Sequence, residues 1–297
     1  MKQAFTDNLH LSRANIERLE TINCIIEEYA AGGYRLTLRQ LYYQLVSRDI
    51  IPNKTAEYAK LSTLLTRGRM AGVVDWNAIE DRVRRPHLPY WVLDVPDALR
   101  DTARQYRLDR MEGQKRYVEV WCEKDALSGI LRRVTERFHV RLMVNRGYSS
   151  TTAMYDAANR FLDEANIGKA GHILYLGDHD PSGLDMVRDI RDRLQEFGVE
   201  VEVSPIALTW EQVERYDPPP NPAKVTDPRA SWYISRHGRV SWEVDALDPD
   251  TLLNLVDWEI RRLIDYDQYQ AMLARERADV EEMNQIISTY GGVEENG

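Results

Sequence analysis

Cysteine is scarce in this chain: of 297 residues only Cys24 and Cys122 carry a thiol. They form no CxxC pair and both fall inside expected elements. The composition therefore excludes a disulfide framework or a thiolate metal cluster, and a reduced, cytoplasmic setting is the simplest reading. Long apolar runs are also missing. Nothing is long enough to cross a bilayer, and Met1-Lys2-Gln3-Ala4-Phe5-Thr6-Asp7 has no signal core. There is no GxxxxGK phosphate loop, hence no recognisable ATPase, and no repeat or low-complexity tract. What remains is 43% hydrophobic and 29% charged, ordinary for a globular chain of one or two domains.

The net charge of −9 argues at first against a nucleic-acid partner. Its distribution argues the other way. Residues 244–297 hold thirteen Asp/Glu against four Arg and account for the whole excess. Residues 33–85 hold ten Lys/Arg against five acids, a local basic face of the kind that binds phosphate. An unevenly charged solvated surface is the alternative.

Apolar spacing predicts a helix over 8–31, closed by Gly32-Gly33. Thr37-Leu38-Arg39-Gln40 reads as a capping box opening a helix to about Arg48. A third helix is expected over 55–70, then a short strand or wing over 72–76. Helix, helix, turn, helix and wing suggest a winged helix over residues 1–90. A proline-punctuated linker with a polar helix at about 97–111 occupies 91–115. From 116 to 297 the pattern becomes α/β. Strands are expected at 117–122, 139–144, 172–176 and 199–205, with helices at 125–138, 150–166 and 183–196. That alternation means a parallel sheet covered by helices on both faces. A proline-rich loop at 217–222 interrupts it, and an acidic helical extension starts near 250.

Two of these strands end in acids. Val118-Glu119-Val120-Trp121-Cys122 runs into Glu123, and Ile173-Leu174-Tyr175-Leu176 runs shortly into Asp178-His179-Asp180-Pro181-Ser182-Gly183. Carboxyl ends of strands at a switch point are where open α/β sheets bind ligands. Converging carboxylates need protons or a cation, and an all-oxygen set favours Mg²⁺. Asp178 and Asp180 are expected on one side, with His179 turned away to solvent. Pro181 stiffens the exit, and Gly183 permits close approach. A turn with a helix cap is the alternative for the second motif taken alone.

Glu123-Lys124-Asp125-Ala126 with Asp178-His179-Asp180-Pro181-Ser182-Gly183 resembles the Toprim domain, nearest to that of the DNA-cleaving chain of topoisomerase VI and the meiotic double-strand-break proteins. Trp242-Glu243-Val244-Asp245-Ala246-Leu247 is similar to a further segment of that family. The resemblance implies a winged-helix plus Toprim architecture in which Glu123, Asp178 and Asp180 hold Mg²⁺. It further implies a nucleophilic tyrosine within an Arg-x-x-aromatic-Tyr pattern. That pattern falls on Arg39-Gln40-Leu41-Tyr42-Tyr43 and makes Tyr43 the nucleophile. The implied partners are double-stranded DNA, a second copy in a homodimer that pairs one protomer's tyrosine with the other's metal site, and a separate ATPase chain. Arg67, Arg69 and Arg146 are candidate contacts to the DNA backbone.

Helix geometry supports Tyr43 independently. Leu38, Leu41, Tyr42, Leu45 and Val46 share an apolar stripe, which puts Tyr42 in the core. Tyr43 lies off it, one turn after Arg39, whose guanidinium would favour the phenolate. Three functions stay open. The first is an Mg²⁺-dependent transesterase leaving 5′-phosphotyrosyl links. The second is a Toprim nuclease using water, with Tyr43 structural. The third is a DNA-binding module without turnover.

Overall fold

The computed structural model describes residues 2–6, 11–80, 89–145, 147, 149–223 and 229–291. Three helices open it: α1 (Arg13–Ala31), α2 (Leu38–Ser47) and α3 (Thr55–Met70). Ser12 caps α1 by accepting the Asn15 N–H, and Leu19, Ile22, Ile25, Ile26 and Tyr29 bury its inner face. The expected capping box opens α2: the Thr37 hydroxyl accepts the Gln40 N–H, and the Gln40 side chain accepts the Thr37 N–H at 2.9 Å. Leu61, Leu64 and Leu65 of α3 complete one core with them.

The strand expected over 72–76 does not form. The Val73 and Val74 amides instead donate to the Gly68 carbonyl and close the last turn of α3. Single bridges, Ala4 to Ala71 and Leu36 to Ile79, are the ladder contacts there among the described residues. The linker helix α4 (Val95–Gln105) is shorter than expected, starting at an Asp94 cap and ending where Tyr106 turns extended.

The α/β part follows the expected alternation closely. Strands β1 (Arg116–Cys122), β2 (Arg141–Val144), β3 (Ala170–Leu176) and β4 (Val201–Ala207) form a four-stranded sheet in the order β2-β1-β3-β4, every pair parallel. Alternate residues go to opposite faces. Val118, Val120, Cys122, Leu174 and Leu176 pack with α5 (Ser128–Phe138) and α10 (Pro249–Leu263). Trp121, Ile173 and Tyr175 pack with α6 (Thr151–Asn166) and α7 (Pro181–Glu196). The switch point, where the chain's direction of winding reverses, falls between β1 and β3.

Beyond β4 come α8 (Trp210–Tyr216), a two-residue strand β5 (Asn221–Pro222), α9 (Ala230–His237) and β6 (Val240–Ser241), which pairs antiparallel with β5. The acidic extension is helical as expected: α10, then α11 (Tyr266–Gly291), which lies along α4. No helix among the described residues is long and apolar enough to cross a membrane.

One buried charge stiffens the sheet. Glu119 faces the α6 side, fully enclosed, and its carboxylate accepts from Arg160 at 2.7 and 2.9 Å, Tyr117 at 2.6 Å and Trp121 at 2.8 Å. Every lone-pair direction is occupied, as a buried carboxylate requires. Arg160→Ala would leave that charge unpaired at a cost of about 3–5 kcal/mol. Urea unfolding at pH 7 measures it, and a loss under about 1 kcal/mol would contradict this account.

Candidate functional site

The β1 and β3 ends lie side by side, so the acids that follow them meet. The Asp178 N–H donates to Glu123 Oε2 at 3.3 Å, tying the two strand ends together. Asp180 is the N-cap of α7, its Oδ1 accepting from Gly183 N–H at 2.6 Å and from the Ser182 hydroxyl at 2.9 Å. The turn-and-cap reading of this motif and its acidic character thus hold together. Gly183 is obligatory by contact: a Cβ there would stand 2.1 Å from the Asp178 carbonyl oxygen. Glu123, Asp178 and Asp180 line one cavity of about 320 Å³.

Two more acids enter from the segment after β6. His179 and Trp242 form an antiparallel bridge, N–H to carbonyl at 2.8 and 3.1 Å. The bridge brings Val244 N–H to 3.0 Å from Asp178 Oδ1. Glu243 and Asp245 flank that residue, and oxygens of Asp178, Glu243 and Asp245 all lie within 4.8 Å of one another. The sequence pattern marks this segment as similar to one in the family but does not single out ligands in it. The available signal is the Glu-Val-Asp alternation, which repeats the Asp178/Asp180 spacing.

Two cations offset part of the acids' charge. Lys124 Nζ is 2.5 Å from Asp178 Oδ2 and 3.4 Å from Glu243 Oε2. Arg39 reaches in from α2, donating through Nε to Asp245 Oδ2 at 2.7 Å and through Nη2 to Glu243. Asp245 Oδ1 is buried yet has no hydrogen-bond partner among the described residues. A buried carboxylate oxygen without a partner costs free energy that a cation would recover. The donor set is all oxygen, and Asp178, Glu243 and Asp245 could hold a metal ion, with Glu123 and Asp180 on the cavity wall.

Burial pushes the Asp178 carboxyl up to about 7, helped by the charges of Glu123 and Asp245 and opposed by Lys124. Burial and the Asp178 charge act oppositely on Lys124, and the charge wins, raising its ammonium above the usual lysine range.

Tyr43 lies off the apolar stripe of its own helix yet is buried, 4% exposed, because the 3₁₀ turn Val244–Ala246 packs across α2. Its hydroxyl accepts from Asn221 Nδ2 at 3.3 Å, and Arg39 lies 5.7 Å from its ring centroid. Burial and Asp245 raise the phenol above its ordinary value, outweighing Asn221, Arg39 and Lys124. Arg39 does stand one turn before Tyr43 as expected, but its guanidinium is bound to carboxylates and does not secure a phenolate. Tyr42 is core, donating to Asn53 Oδ1 at 2.9 Å.

His179 is likewise enclosed rather than exposed. Its Nδ1 is 3.0 Å from the Tyr233 oxygen, whose O–H donates to the His179 carbonyl at 2.8 Å. Nδ1 must therefore carry the hydrogen. Burial pushes the ring down to about 4, so it is neutral and structural. Arg67 lines a separate cavity between α1 and α3. Arg69 is half-buried beside Trp76 and donates through Nη2 to the Ile79 carbonyl at 3.3 Å, away from the acids. Arg146 lies outside the described residues.

Divalent-ion binding must release the Asp178 proton at low pH. Mn²⁺ affinity by calorimetry is expected to be level above pH 7 and to fall toward about tenfold per pH unit below it, with Asp178→Asn removing the dependence. A flat profile in the unaltered chain would count against this site. Gly183→Ala, forced against backbone, is expected to cost at least about 1–3 kcal/mol in urea unfolding; an unchanged midpoint would contradict the packing described. No family model, curated protein or solved structure matches this chain.

Proposed function

We propose that the chain is a divalent-cation-dependent, DNA-breaking tyrosine transesterase of the winged-helix plus Toprim kind, with Mg²⁺ the metal its oxygen ligands favour. The observation that carries this reading is Arg39: one turn before Tyr43, it binds Glu243 and Asp245, so the tyrosine helix docks directly on the carboxylate cluster. The excess of Lys and Arg over residues 33–85 favours a polyanionic substrate.

In the proposed step the Tyr43 oxygen attacks a DNA phosphorus and the bond from phosphorus to the 3′ oxygen breaks. The 5′ phosphate remains on Tyr43, the phenolic proton passes to solvent, and the departing 3′ oxygen takes one up. A bound Mg²⁺ would supply positive charge at the reacting phosphate. Asp178, Glu243 and Asp245 would hold it, with Glu123 and Asp180 orienting its shell. Arg39, once its carboxylates have a metal to share, is placed to bind a phosphate oxygen in a bidentate way. Rejoining strands after passing a duplex would require an ATPase from a separate partner.

A second reading has one observation in its favour. Tyr43 is buried with its phenol held protonated, which suits a Toprim nuclease that uses water and keeps the tyrosine as packing.

Supercoiled DNA incubated with the protein and Mg²⁺, then denatured, separates the two. Transesterification predicts protein-linked 5′ ends that Tyr43→Phe lowers at least about 10⁴-fold, the scale of losing a nucleophile. Cleavage that survives Tyr43→Phe but not Asp178→Ala selects the nuclease. Linked ends that persist in Tyr43→Phe would refute the nucleophile assigned.

A further inference from the structure

α3 begins at a cavity beside Tyr43, which Thr55 and Tyr58 line, and ends about 20 Å further on at Met70. At that far end the chain builds an aromatic corner. The Met70 carbonyl accepts the Phe5 N–H at 2.9 Å and the Thr6 N–H at 3.2 Å, and Ala4 forms an antiparallel bridge with Ala71. Gly72, at φ +70°, is required by this contact, since a Cβ there would stand 2.8 Å from the Ala4 nitrogen. The Trp76 indole N–H donates to the Gln3 carbonyl at 3.0 Å and closes the clip from the other side. Residues 3–6 are thus held by their main chain, and the Phe5 side chain is left 59% exposed.

Phe5 and Trp76 meet with ring centroids 5.4 Å apart and planes at 86°. Perpendicular rings form a corner, so a third flat ring can lie on one and meet the other edge to face. With Met70, Gln3 and Asn77 they line a cavity of about 540 Å³, within the range of small-molecule sites, roughly 300–1,000 Å³. Phe5, Met70 and Trp76 make its surface mainly apolar. Gln3 and Asn77 carry amides of the kind that pair with the donor and acceptor edges of a base.

The charge around the corner selects the kind of flat ring. The Arg69 guanidinium stands 5.9 Å from the Trp76 ring, and Arg67 shares the last turn of α3 with it. Arg35 donates through Nε to the Asn77 carbonyl at 2.9 Å. The neighbouring acid, Asp75, already accepts the Asn77 N–H at 2.7 Å. All three arginines belong to the stretch 33–85, where ten Lys/Arg stand against five acids. An aromatic surface for the ring, with cations beside it for the phosphates, is how proteins hold the unpaired bases of single strands. A base inside a duplex is already stacked on both faces.

Resting on the reading of DNA as the substrate, we propose that the Phe5–Trp76 corner is a stacking site for an unpaired nucleobase of single-stranded DNA. The basic stretch binds the sugar–phosphate chain, and the corner takes one base from it. Stacking of this kind tolerates any sequence, because every base offers a flat face. Binding of single strands then depends on their bases as well as on their charge.

Fluorescence anisotropy with dye-labelled single strands in EDTA, where metal-dependent cleavage is stopped, tests it. Oligothymidylate and an abasic strand of the same length carry the same backbone charge. The thymidine strand is expected to bind about tenfold more tightly. Phe5→Ala and Trp76→Ala should each remove that advantage and leave the abasic affinity unchanged. Phe5→Ala keeps the main-chain clip, so its effect reads the ring and not the fold. A 2-aminopurine base placed in the thymidine strand should lose fluorescence on the unaltered chain and keep it on Phe5→Ala.

Equal affinity for the two strands, no binding of either, or a thymidine advantage that survives both substitutions overturns the proposal. Equal affinity would leave the corner to an apolar side chain of a protein partner. Base-dependent binding that both substitutions abolish, with no protein-linked 5′ ends once Mg²⁺ is restored, would keep the stacking site and count against the transesterase reading alone. Linked ends from a chain without base-dependent binding would do the reverse.

Discussion

The contact on which the rest depends is short: a two-way backbone bridge between His179 and Trp242, extended by the Val244 N–H to Asp178. It joins the carboxyl end of β3 to a segment that follows a long excursion through α8, β5, α9 and β6. The bridge delivers the extended Glu243 beside Asp178, and the 3₁₀ turn Val244–Ala246 that follows at once brings Asp245 to the same acids. The residue between them, Val244, goes into the sheet core, and Ala246 goes into the helical core. The segment therefore serves as a peg between two hydrophobic bodies. Its acids cannot leave the site without unpacking apolar side chains on both sides.

Electrostatics explains why such a peg is needed. Five carboxylates surround this edge of the sheet, and like charges in a poorly solvated place repel strongly. Lys124 and Arg39 offset part of that repulsion, and a proton on Asp178 near neutral pH offsets more. The unpartnered Asp245 Oδ1 marks where compensation is incomplete. A divalent ion would relieve the repulsion, release the proton and loosen the hold of both basic side chains. Burial would still hold the Tyr43 phenol above its ordinary value, but the same charge redistribution would lessen the part that Asp245 adds.

The β–α alternation is legible in the sequence because helices cover both faces of the sheet and leave near-continuous apolar strands. Glu123, Asp178 and Asp180 can be placed at the strand ends for the same reason. So can the Thr37–Gln40 cap and the burial of Tyr42, both set within one helical turn. Glu243 and Asp245 cannot be found that way: the contact that recruits them spans more than sixty residues and rests on a single bridge. Tyr43 defeats a local reading for a related reason. Its stripe leaves it outward, and the cover comes from a turn some two hundred residues later. His179 is enclosed by Tyr233 and His237 of α9, again beyond the reach of local pattern. The missing strand at 72–76 shows the opposite case, where local amides are claimed by the end of a helix before a ladder can form.

A crystal soaked in Mn²⁺ and measured at a wavelength where manganese scatters anomalously tests the central claim most directly. The account predicts one strong peak bounded by oxygens of Asp178, Glu243 and Asp245, at about 2.1–2.2 Å from each, as expected for a hard divalent ion of this size. The Lys124 ammonium should also have moved away from Asp178. No peak among these acids, with Lys124 still seated on Asp178, would contradict it.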